Sequence, residues 1–467
     1  MKQQTIIIFG TGSSAESFYR NLNASNVKVA AFLDNDSAKW TTTKFGIPVR
    51  EVHYICKIEF DHIVIASQFV EPIFQQLMEL GVPFERIVPL YPYYFTQYLH
   101  ERYKATLGTL LLPPHSKKKK AIGLLSTSNS GCNCIALFKG MPCAIREKYD
   151  VRLITSENDE GDTESFDVFV STHRNHSLGR AKNIELWHGF PLKAMGRMHR
   201  SSASKDMASA EVWQEADAIA SYSPLYSTLM SACFPTTVRQ YQITGMPRND
   251  LLLGSDGRSN LERIVGKSLE HKKLLLYMPT FRVFSSREAV EGKRNLDNLF
   301  GFSDFQEEAF HAYLQEHNLF LIVKLHEFEK HIQNNLEKFQ SEHVFLLKSG
   351  YLVQEGLDLY ELINGVDLLL TDYSSVFFDY LLLNRPIVFV TNDLTEYQAD
   401  RGFLLSPYDS WTPGPKVNSQ SFLEMEIINS LDRDPYESER AALLPMIHTY
   451  QDAKSSERIW SMIEQFL

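Results

Sequence analysis

Residues 5–34 read TIIIFGTGSSAESFYRNLNASNVKVAAFLD. An apolar strand pattern, Thr5 to Phe9, meets a glycine-rich turn that contains Gly10 and Gly12, and apolar residues at helical spacing follow it. A second apolar run then ends on Asp34. This order of strand, glycine turn, helix, strand and acidic residue predicts a βαβ unit of the dinucleotide-binding kind, with Gly10, Gly12 and Asp34 as a possible nucleotide site.

The same alternation of strand and helix patterns continues along the chain. Two further sets follow, one starting at residue 121 and one at residue 274, and a polar stretch at 254–257 lies between them. Two successive sets predict two parallel-sheet domains that face each other across a cleft. We therefore predict an α/β fold in four parts: a Rossmann-like nucleotide-binding-type domain at 1–91, a linker with a basic run at 92–120, one lobe at 121–258 and a second at 259–467.

Composition excludes several classes of protein. The 467 residues carry a formal net charge of −10, which argues against an extended nucleic-acid interface. No stretch approaches the roughly 18 unbroken apolar residues of a membrane span, and the N-terminus lacks the order of a signal peptide. The five cysteines are scattered, and Cys132 and Cys134 have no second pair at zinc-site spacing. We interpret them as reduced cysteines of a cytosolic protein.

Polar side chains follow several predicted strands in the second half of the chain, where open α/β sheets bind ligands. The strand at 184–187 runs into His188 and Gly189, with Lys193 four residues beyond Gly189. A histidine at such a place has a near-neutral pKa that suits a general base for an attacking hydroxyl. Two more strand ends supply Thr280, Arg282, Lys324 and His326.

The strand at 368–370 runs into the polar run from Thr371 to Ser375, which opens a helix predicted over 376–382. Its hydroxyls and the free N–H groups of the first helical turn form an anion site, in which Asp372 or Ser374 serves at least as a cap. Such a set binds a pyrophosphate without a metal, and no compact carboxylate cluster for Mg²⁺ lies beside it. We predict no metal and no required cofactor.

These residues belong to motifs that occur in a fixed order over roughly residues 121–430. The motifs are Trp187-His188-Gly189 with Pro191-Leu192-Lys193, Gly245-Met246-Pro247-Arg248-Asn249-Asp250, Pro279-Thr280-Phe281-Arg282, Lys324 with His326, Thr371-Asp372-Tyr373-Ser374-Ser375 with Asp379, and Arg401-Gly402-Phe403. The ordered set resembles the CDP-glycerol glycerophosphotransferase family, whose members build teichoic acids and capsule polymers from polyol phosphates.

The resemblance implies a GT-B-like pair of Rossmann-type lobes with the active site between them, besides the additional N-terminal Rossmann-like domain. It implies an acceptor lobe, a donor lobe that binds CDP-glycerol or CDP-ribitol, and release of CMP. It implies that His188 and His326 are catalytic, with His188 as the general base. It further assigns donor phosphate or nucleotide contacts to Arg282, Thr280, Lys324, Thr371, Asp372, Ser374 and Ser375, and supporting roles to Gly189, Lys193, Arg248, Asp250 and Asp379.

Two positions depart from the family pattern. Phe190 stands where Thr is common, and Glu327 stands where Pro is usual after the histidine. The resemblance also implies a lipid-linked or glycan acceptor, and hence a cytoplasmic protein at the inner face of the membrane. The Lys117–Lys120 run predicts peripheral contact with anionic lipid, although a solvated linker explains it equally well.

Three other functions remain open at this stage. One is a GT-B glycosyltransferase that uses a nucleotide sugar, and another is an NAD-dependent oxidoreductase centred on the first domain. The third is a non-catalytic nucleotide-binding scaffold. The type of polyol, the acceptor and the oligomeric state are not encoded in any motif of this chain.

Overall fold

The computed structural model describes residues 3–67, 69–90, 106–107, 109–111, 119–126, 131–155, 166–173, 181–198, 216–234, 238–280, 298–325 and 337–467. These residues form three six-stranded sheets that follow one another along the chain. Among the described strands every pairing is parallel except that of the two short strands at the edge of the first sheet. The protein is therefore a mixed α/β protein, as predicted.

The first sheet has the strand order β3-β4-β2-β1-β5-β6. Its strands are β1 (Gln4–Phe9), β2 (Val27–Leu33), β3 (Thr43–Lys44), β4 (Ile47–Arg50), β5 (His62–Ile65) and β6 (Ile87–Pro89). Its helices are α1 (Ser13–Arg20) and α2 (Val70–Glu79), with 3-10 turns at Ser37–Lys39, Val52–Lys57 and Phe84–Arg86. The strand order reverses between β1 and β5, so the glycine turn after β1 lies at the switch point of the sheet.

The second sheet has the order β12-β11-β10-β9-β7-β8. Its strands are β7 (Ala121–Ser126), β8 (Asp150–Thr155), β9 (Val168–Ser171), β10 (Lys182–Glu185), β11 (Ala218–Ser221) and β12 (Tyr241–Ile243). The helices of this part are α3 (Asn133–Lys139), α4 (Cys143–Lys148), α5 (Pro224–Cys233) and α6 (Pro247–Gly254), with 3-10 turns at Gly196–Met198 and Val238–Gln240. Here the order reverses between β7 and β9.

The third sheet has the order β15-β14-β13-β16-β17-β18, with its switch point between β13 and β16. Its strands are β13 (Lys273–Met278), β14 (Leu319–Val323), β15 (Val344–Leu346), β16 (Leu368–Thr371), β17 (Ile387–Val390) and β18 (Lys416–Val417). Its helices are α7 (Gly257–Val265), α8 (Glu307–Glu316), α9 (Ser349–Glu355), α10 (Tyr360–Ile363), α11 (Val376–Tyr380), α12 (Leu394–Asp400), α13 (Gln420–Asp432), α14 (Glu437–Ile447) and α15 (Ser455–Glu464), with 3-10 turns at Glu337–Phe339, Leu381–Leu383 and Tyr408–Trp411.

The second and third sheets share one hydrophobic core. On β13, Leu274 and Leu276 belong to a cluster that also contains residues of the second sheet, whereas Leu275 and Tyr277 pack in a separate cluster on the opposite face. Strand side chains alternate between the two faces of a sheet, so one face of the third sheet packs toward the second. The first sheet has two clusters of its own, one on each face.

The last helix does not stay with the lobe that the sequence assigned to it. Helix α15 packs against α3 and α6, which belong to the second sheet, and Trp460 on α15 lies in the core that the two sheets share. Asp250 explains its position, because its carboxylate oxygens accept hydrogen bonds from the N–H groups of Ser455 and Ser456 at 2.9 and 2.6 Å. The predicted range 259–467 therefore contains a terminal helix that packs on helices of the second sheet.

The predicted linker at 92–120 lies largely outside the described residues, but two parts of it are visible. Leu107, Leu110 and Leu111 are buried in a cluster of the first sheet, so this part packs and is not an exposed connector. At the other end, Lys120 forms an ion pair with Asp167 at 2.9 Å. One member of the basic run is thus already partnered by a carboxylate.

Candidate active site

The turn after β10 presents His188 at the surface. The strand was predicted to reach Trp187, but it ends at Glu185, because Trp187 has a left-handed φ of 55°. The buried Glu185 carboxylate holds this turn, since its Oε1 accepts a hydrogen bond from the Trp187 N–H at 2.9 Å. His188 follows with an exposed side chain, as a general base requires.

Gly189 places this turn close to Ser375, which follows β16 of the third sheet. Its φ is 154°, and a Cβ added here would lie 3.0 Å from Oγ of Ser375 and 3.1 Å from Nη2 of Arg248. A glycine is therefore needed both for the backbone conformation and for the close approach. The carboxyl ends of β10 and β16 consequently face each other across the contact between Gly189 and Ser375.

A buried ion pair joins the two sides at the same place. Arg248 of α6 pairs through Nη2 with Asp379 of α11, and its Nη1 donates to the carbonyl oxygen of His188 at 2.7 Å. The hydroxyls of Tyr222 and Tyr360 also donate to Asp379, at 3.0 and 2.7 Å. Burial raises the pKa of both tyrosines well above the ordinary value, so both remain neutral donors. Both charges of the pair are thus hydrogen-bonded, as buried charges require, and Nε of Arg248 is the one atom of the pair that makes no hydrogen bond with a described residue.

Hydrogen bonds between strand ends of the third sheet fix the position of Thr280. The amide of Thr280 donates to Oδ1 of Asp372 at 2.6 Å, and the Thr371 hydroxyl donates to the carbonyl oxygen of Met278 at 2.7 Å. Thr371 and Asp372 are buried, and these two hydrogen bonds join the ends of β13 and β16. Their predicted contact with the donor stays a prediction. The Thr280 hydroxyl is also buried, but it makes no hydrogen bond with any described residue.

Ser374 and Ser375 are half-buried at the start of α11. The helix was predicted over 376–382, but α11 contains five residues and passes into a 3-10 turn at Leu381–Leu383. So short a helix adds little dipole, because the macrodipole is a sum over aligned peptide groups. The hydroxyls of the two serines, more than the helix, are what this position offers to a phosphate.

Lys324 lies beside this group at the end of β14. Strand β14 ends at Val323, one residue before Lys324, and the Lys324 ammonium donates to the carbonyl oxygen of Leu325 at 2.9 Å and to the Ser349 hydroxyl at 3.2 Å. Ser349, which begins α9, was missed by the sequence reasoning because it lies 25 residues from Lys324. Arg282 and His326, together with Phe281 and Glu327, lie outside the described residues.

Lys193 and its neighbours pair through their backbones with residues 402–404, which lie between β17 and β18 of the third sheet. The Leu404 amide donates to the Leu192 carbonyl at 2.9 Å and the Ala194 amide to the Gly402 carbonyl at 3.1 Å, which makes a short antiparallel bridge. The Lys193 ammonium lies 5.9 Å from the ring centroid of Tyr397. Phe190, the first departure from the family pattern, is buried against aromatic rings and does not face solvent.

The first sheet carries its own polar cluster after β1. Asp34 accepts hydrogen bonds from the Thr11 hydroxyl and from Lys39 Nζ at 3.1 Å. Lys44 donates hydrogen bonds to the Thr11 carbonyl oxygen and, at 2.6 Å, to Glu16 Oε1. The Lys44–Glu16 ion pair therefore lies at the first turn of α1. In a dinucleotide site Asp34 would accept from a ribose hydroxyl and the turn would face the pyrophosphate. Asp34, Lys39 and Lys44 already have partners, and the carboxylate of Glu16 lies in the first helical turn. The residues present therefore do not fit a dinucleotide.

Gly10 and Gly12 differ in what they do at this turn. Gly10 has a φ of 119°, and a Cβ there would lie 2.5 Å from the Ala66 carbonyl oxygen, so packing of β1 beside β5 requires glycine. Gly12, at the start of α1, has open space around it. The glycine pattern is thus explained in part by packing inside the domain.

Metal ligands are not grouped in the described part of the chain, where no set of three or more His, Cys, Asp or Glu side chains could hold a metal ion. All five cysteines are described, and each is free. Cys132 and Cys134 are buried at the start of α3, where they contact Thr172 and the Val170 carbonyl. Among the described residues no helix is both long and apolar enough to cross a membrane.

Comparison with known proteins decides the family. A family model described as CDP-Glycerol:Poly(glycerophosphate) glycerophosphotransferase matches residues 164–465. The chain belongs to this family. The resemblance that the ordered motifs indicated is thereby confirmed, and the match includes both strand ends that face each other at Gly189 and Ser375. A second family model, the C2185-like N-terminal domain, matches residues 2–88, which is the part of the chain that carries the first sheet.

Curated relatives of the family are similar over part of their length. The teichoic acid glycerol-phosphate primase of Bacillus subtilis is 28% identical over 307 residues, which are 64% of this chain and 72% of the primase. The teichoic acid ribitol-phosphate polymerase TarK of Staphylococcus aureus is 29% identical over 220 residues, which are 46% of this chain and 39% of TarK. The chain thus spans well under two thirds of the length of TarK.

Solved structures show the same fold. A structure of the wall teichoic acid polymerase TagF superimposes with a TM-score of 0.59 at 21% identity, covering 75% of this chain and 89% of TagF. A second TagF structure, of a variant with CDPG, gives a TM-score of 0.60 at 17% identity and covers 86% of this chain. At this level of identity the likeness establishes the fold alone.

Proposed function

We propose that the protein transfers a polyol phosphate, glycerol phosphate or ribitol phosphate, from a CDP-activated donor to an acceptor hydroxyl and releases CMP. The acceptor is a teichoic-acid or capsule-type chain. One observation carries the proposal: the exposed His188, at the carboxyl end of the second sheet, is followed by Gly189 in contact with Ser375 at the carboxyl end of the third. Membership of the family supplies the class of reaction.

In this proposal one lobe binds the acceptor and the other binds the donor. The second sheet, within residues 121–258, forms the acceptor lobe, and the third sheet, within 259–450, forms the donor lobe of a GT-B-like pair. The terminal helix α15 belongs with the acceptor lobe, on which it packs. The first sheet is a separate domain that accompanies this pair.

His188 acts as the general base. Its Nε2 accepts the proton of the acceptor hydroxyl while that oxygen attacks the phosphorus that bears the polyol. One P–O bond forms, the P–O bond to CMP breaks, and CMP leaves with the electron pair. Positioning and charge stabilisation supply most of the acceleration in such transfers.

The donor phosphates lie against the third sheet. The unpartnered Thr280 hydroxyl, the Lys324 ammonium and the hydroxyls of Ser374 and Ser375 come from strand ends on both sides of the switch point between β13 and β16, where open sheets bind ligands. We add Arg282 and His326 to this group from the motifs alone. No metal or other cofactor takes part in the proposed reaction.

The proposed acceptor indicates where in the cell the protein works. We propose that the protein works at the cytoplasmic face of the membrane, where a lipid-linked acceptor is accessible. Because Lys120 is paired with Asp167, any contact of the basic run with anionic lipid would rest on Lys117, Lys118 and Lys119.

The test is a donor panel with product analysis. Purified protein is titrated calorimetrically with CDP-glycerol, CDP-ribitol, UDP-glucose and NAD, and the products formed with a teichoic-acid acceptor are identified. We expect one CDP-polyol to bind, CMP to be released, and Thr280→Val and Ser374→Ala to weaken donor binding. Release of a nucleoside diphosphate from UDP-glucose would indicate a glycosyltransferase, and binding of NAD alone would indicate an oxidoreductase. Either result would refute the proposal.

A further inference from the structure

A second histidine lies against the general base. His173 follows β9, at the switch point of the second sheet, and its ring is parallel to that of His188, with centroids 4.4 Å apart and planes 7° apart. The Trp187 ring adds a third member, 4.2 Å from His188 and 6.4 Å from His173. Both imidazoles are exposed.

One residue, Thr172, holds both imidazoles. Its carbonyl oxygen lies 3.3 Å from Nδ1 of His188, and its hydroxyl lies 2.9 Å from Nδ1 of His173. A carbonyl oxygen only accepts, so Nδ1 of His188 carries the proton in this contact. The lone pair then resides on Nε2, which is the atom that must accept the acceptor's proton.

The stacking of the two rings also affects which of the two histidines can carry a positive charge. When His188 takes a proton, an imidazolium forms against the face of the His173 ring, and an aromatic face attracts a cation. If His173 were already protonated, two cations would stand 4.4 Å apart and repel each other. The stack therefore favours proton uptake by His188 only while His173 is neutral.

We propose that His173 is a positioning residue for the transfer reaction, which holds the ring plane of His188 and supplies a neutral aromatic face to the imidazolium that forms. The inference rests on the proposed function, because it requires His188 to be the base. Among the described residues, the titratable or charged groups that contact this cluster include Glu185 at the Trp187 amide, Arg248 at the His188 carbonyl and Cys132 at the Thr172 hydroxyl.

The experiment compares three variants in steady-state transfer over a range of pH. His173→Phe keeps a flat ring and removes the titration, His173→Ala removes the ring, and His188→Ala removes the base. We expect His173→Ala to lower kcat about 10-fold, with KM for the donor changed less than about twofold, because the base is present but poorly oriented. We expect His173→Phe to retain most of kcat near pH 8.

The fall of kcat/KM at low pH distinguishes two roles for His173. One is positioning with coupling of charge between the two histidines, and the other is packing alone. In the wild type, two coupled ionisations should define the fall of kcat/KM at low pH, and His173→Phe should reduce them to one. The ¹⁵N resonances of His188, followed by NMR titration without substrate, should show the same change. Because His173 is exposed, both variants should fold, and the thermal midpoint checks this.

The outcomes are distinguishable. If His188→Ala is inactive while both His173 variants match the wild type in kcat and in the acid limb, the role of His173 is overturned and the proposed function stands. If His188→Ala keeps full turnover, the base assignment fails and the role of His173 fails with it.

Discussion

Two glycine turns in this molecule follow the carboxyl ends of parallel strands, and they differ in what surrounds them. After β1, the polar groups pair with one another, so that Asp34 pairs with Lys39 and Lys44 pairs with Glu16. After β10, the imidazole of His188 is exposed, and the backbone of its turn is held by Arg248, whose charge is balanced by Asp379 of α11.

The two turns differ in whether their charged side chains pair with one another or support an exposed one. In the first domain the charged groups beside the turn are joined in ion pairs. The turn after β10 is held by Glu185 of its own strand and by Arg248, and the imidazole of His188 stays exposed. Four variants test this difference, and those with the strongest expected effect come first.

Replacing His188 by Ala should lower turnover by about 10²–10⁴-fold, because a general base contributes roughly that factor. Donor affinity, measured by calorimetry, should stay close to that of the wild type. His53→Ala serves as the control, since His53 is an exposed histidine in the first domain. Equal turnover of the wild type and His188→Ala would remove His188 from the reaction.

Breaking the Arg248–Asp379 pair should destabilise the protein strongly. Arg248→Met leaves a buried carboxylate without its cation, and the free energy of unfolding should fall by about 3–5 kcal/mol. Urea denaturation of the single variants and of Arg248→Met/Asp379→Leu measures this.

The double variant provides the control for this pair. It should lose less stability than the sum of the two single losses, because residues in contact are not additive. A double variant that loses the full sum would show that the pair does not couple the two sides.

Gly189→Ala should reduce both stability and turnover, because the new methyl group meets Ser375 and Arg248 at a left-handed φ. We expect a loss of about 1–3 kcal/mol in the free energy of unfolding and a fall in kcat of about 10-fold. Gly46→Ala is the matched control, since Gly46 has a φ of 76° but no atom within 4 Å of an added Cβ. If both variants behaved alike, the contact with Ser375 would have no importance for the reaction.

Asp34→Asn should leave transfer unchanged. Burial acts to raise the pKa of Asp34, but the hydrogen bonds from Thr11, the Asp36 amide and Lys39 outweigh it and lower the pKa below its ordinary 3.8. The stabilisation that Asp34 contributes is thus present above the unfolded pKa and is lost as pH falls through the folded pKa.

The urea midpoint checks this. The wild type should exceed Asp34→Asn in stability at pH 7, and the gap should narrow as the pH falls through the lowered pKa of Asp34 in the folded protein. A loss of transfer in this variant would show that the first domain takes part in the reaction.

Much of the fold could be predicted from the sequence, because buried parallel strands are short apolar runs that stand out locally. The second apolar run, predicted to end on Asp34, is strand β2, Val27–Leu33. Short strands were missed, among them Ala218–Ser221, whose alanines and serine carry little β signal. The end of β10 was wrong by two residues, because the left-handed turn at Trp187 is set by a hydrogen bond to Glu185 and not by the residue type.

The candidate site was predicted less completely. The rule that ligand groups follow strand ends placed His188, Thr280, Ser374 and Ser375 correctly at strand ends of the second and third sheets. The same rule applied to the strand at 167–171 would have pointed to His173, which was overlooked. Ser349 gave no signal, because its contact with Lys324 joins two elements that are unrelated in sequence.

The three alternating sets of strands and helices and the family could be predicted from the sequence, because apolar periodicity and ordered motifs are local patterns that need no knowledge of contacts. The exposure and partners of each polar side chain came from the folded structure. Asp34, Asp250 and Asp372 accept hydrogen bonds within the fold, whereas the side chain of His188 is exposed. Some of these partners are distant in sequence, such as Asp379 for Arg248 and Ser455 for Asp250, and only folding brings them together.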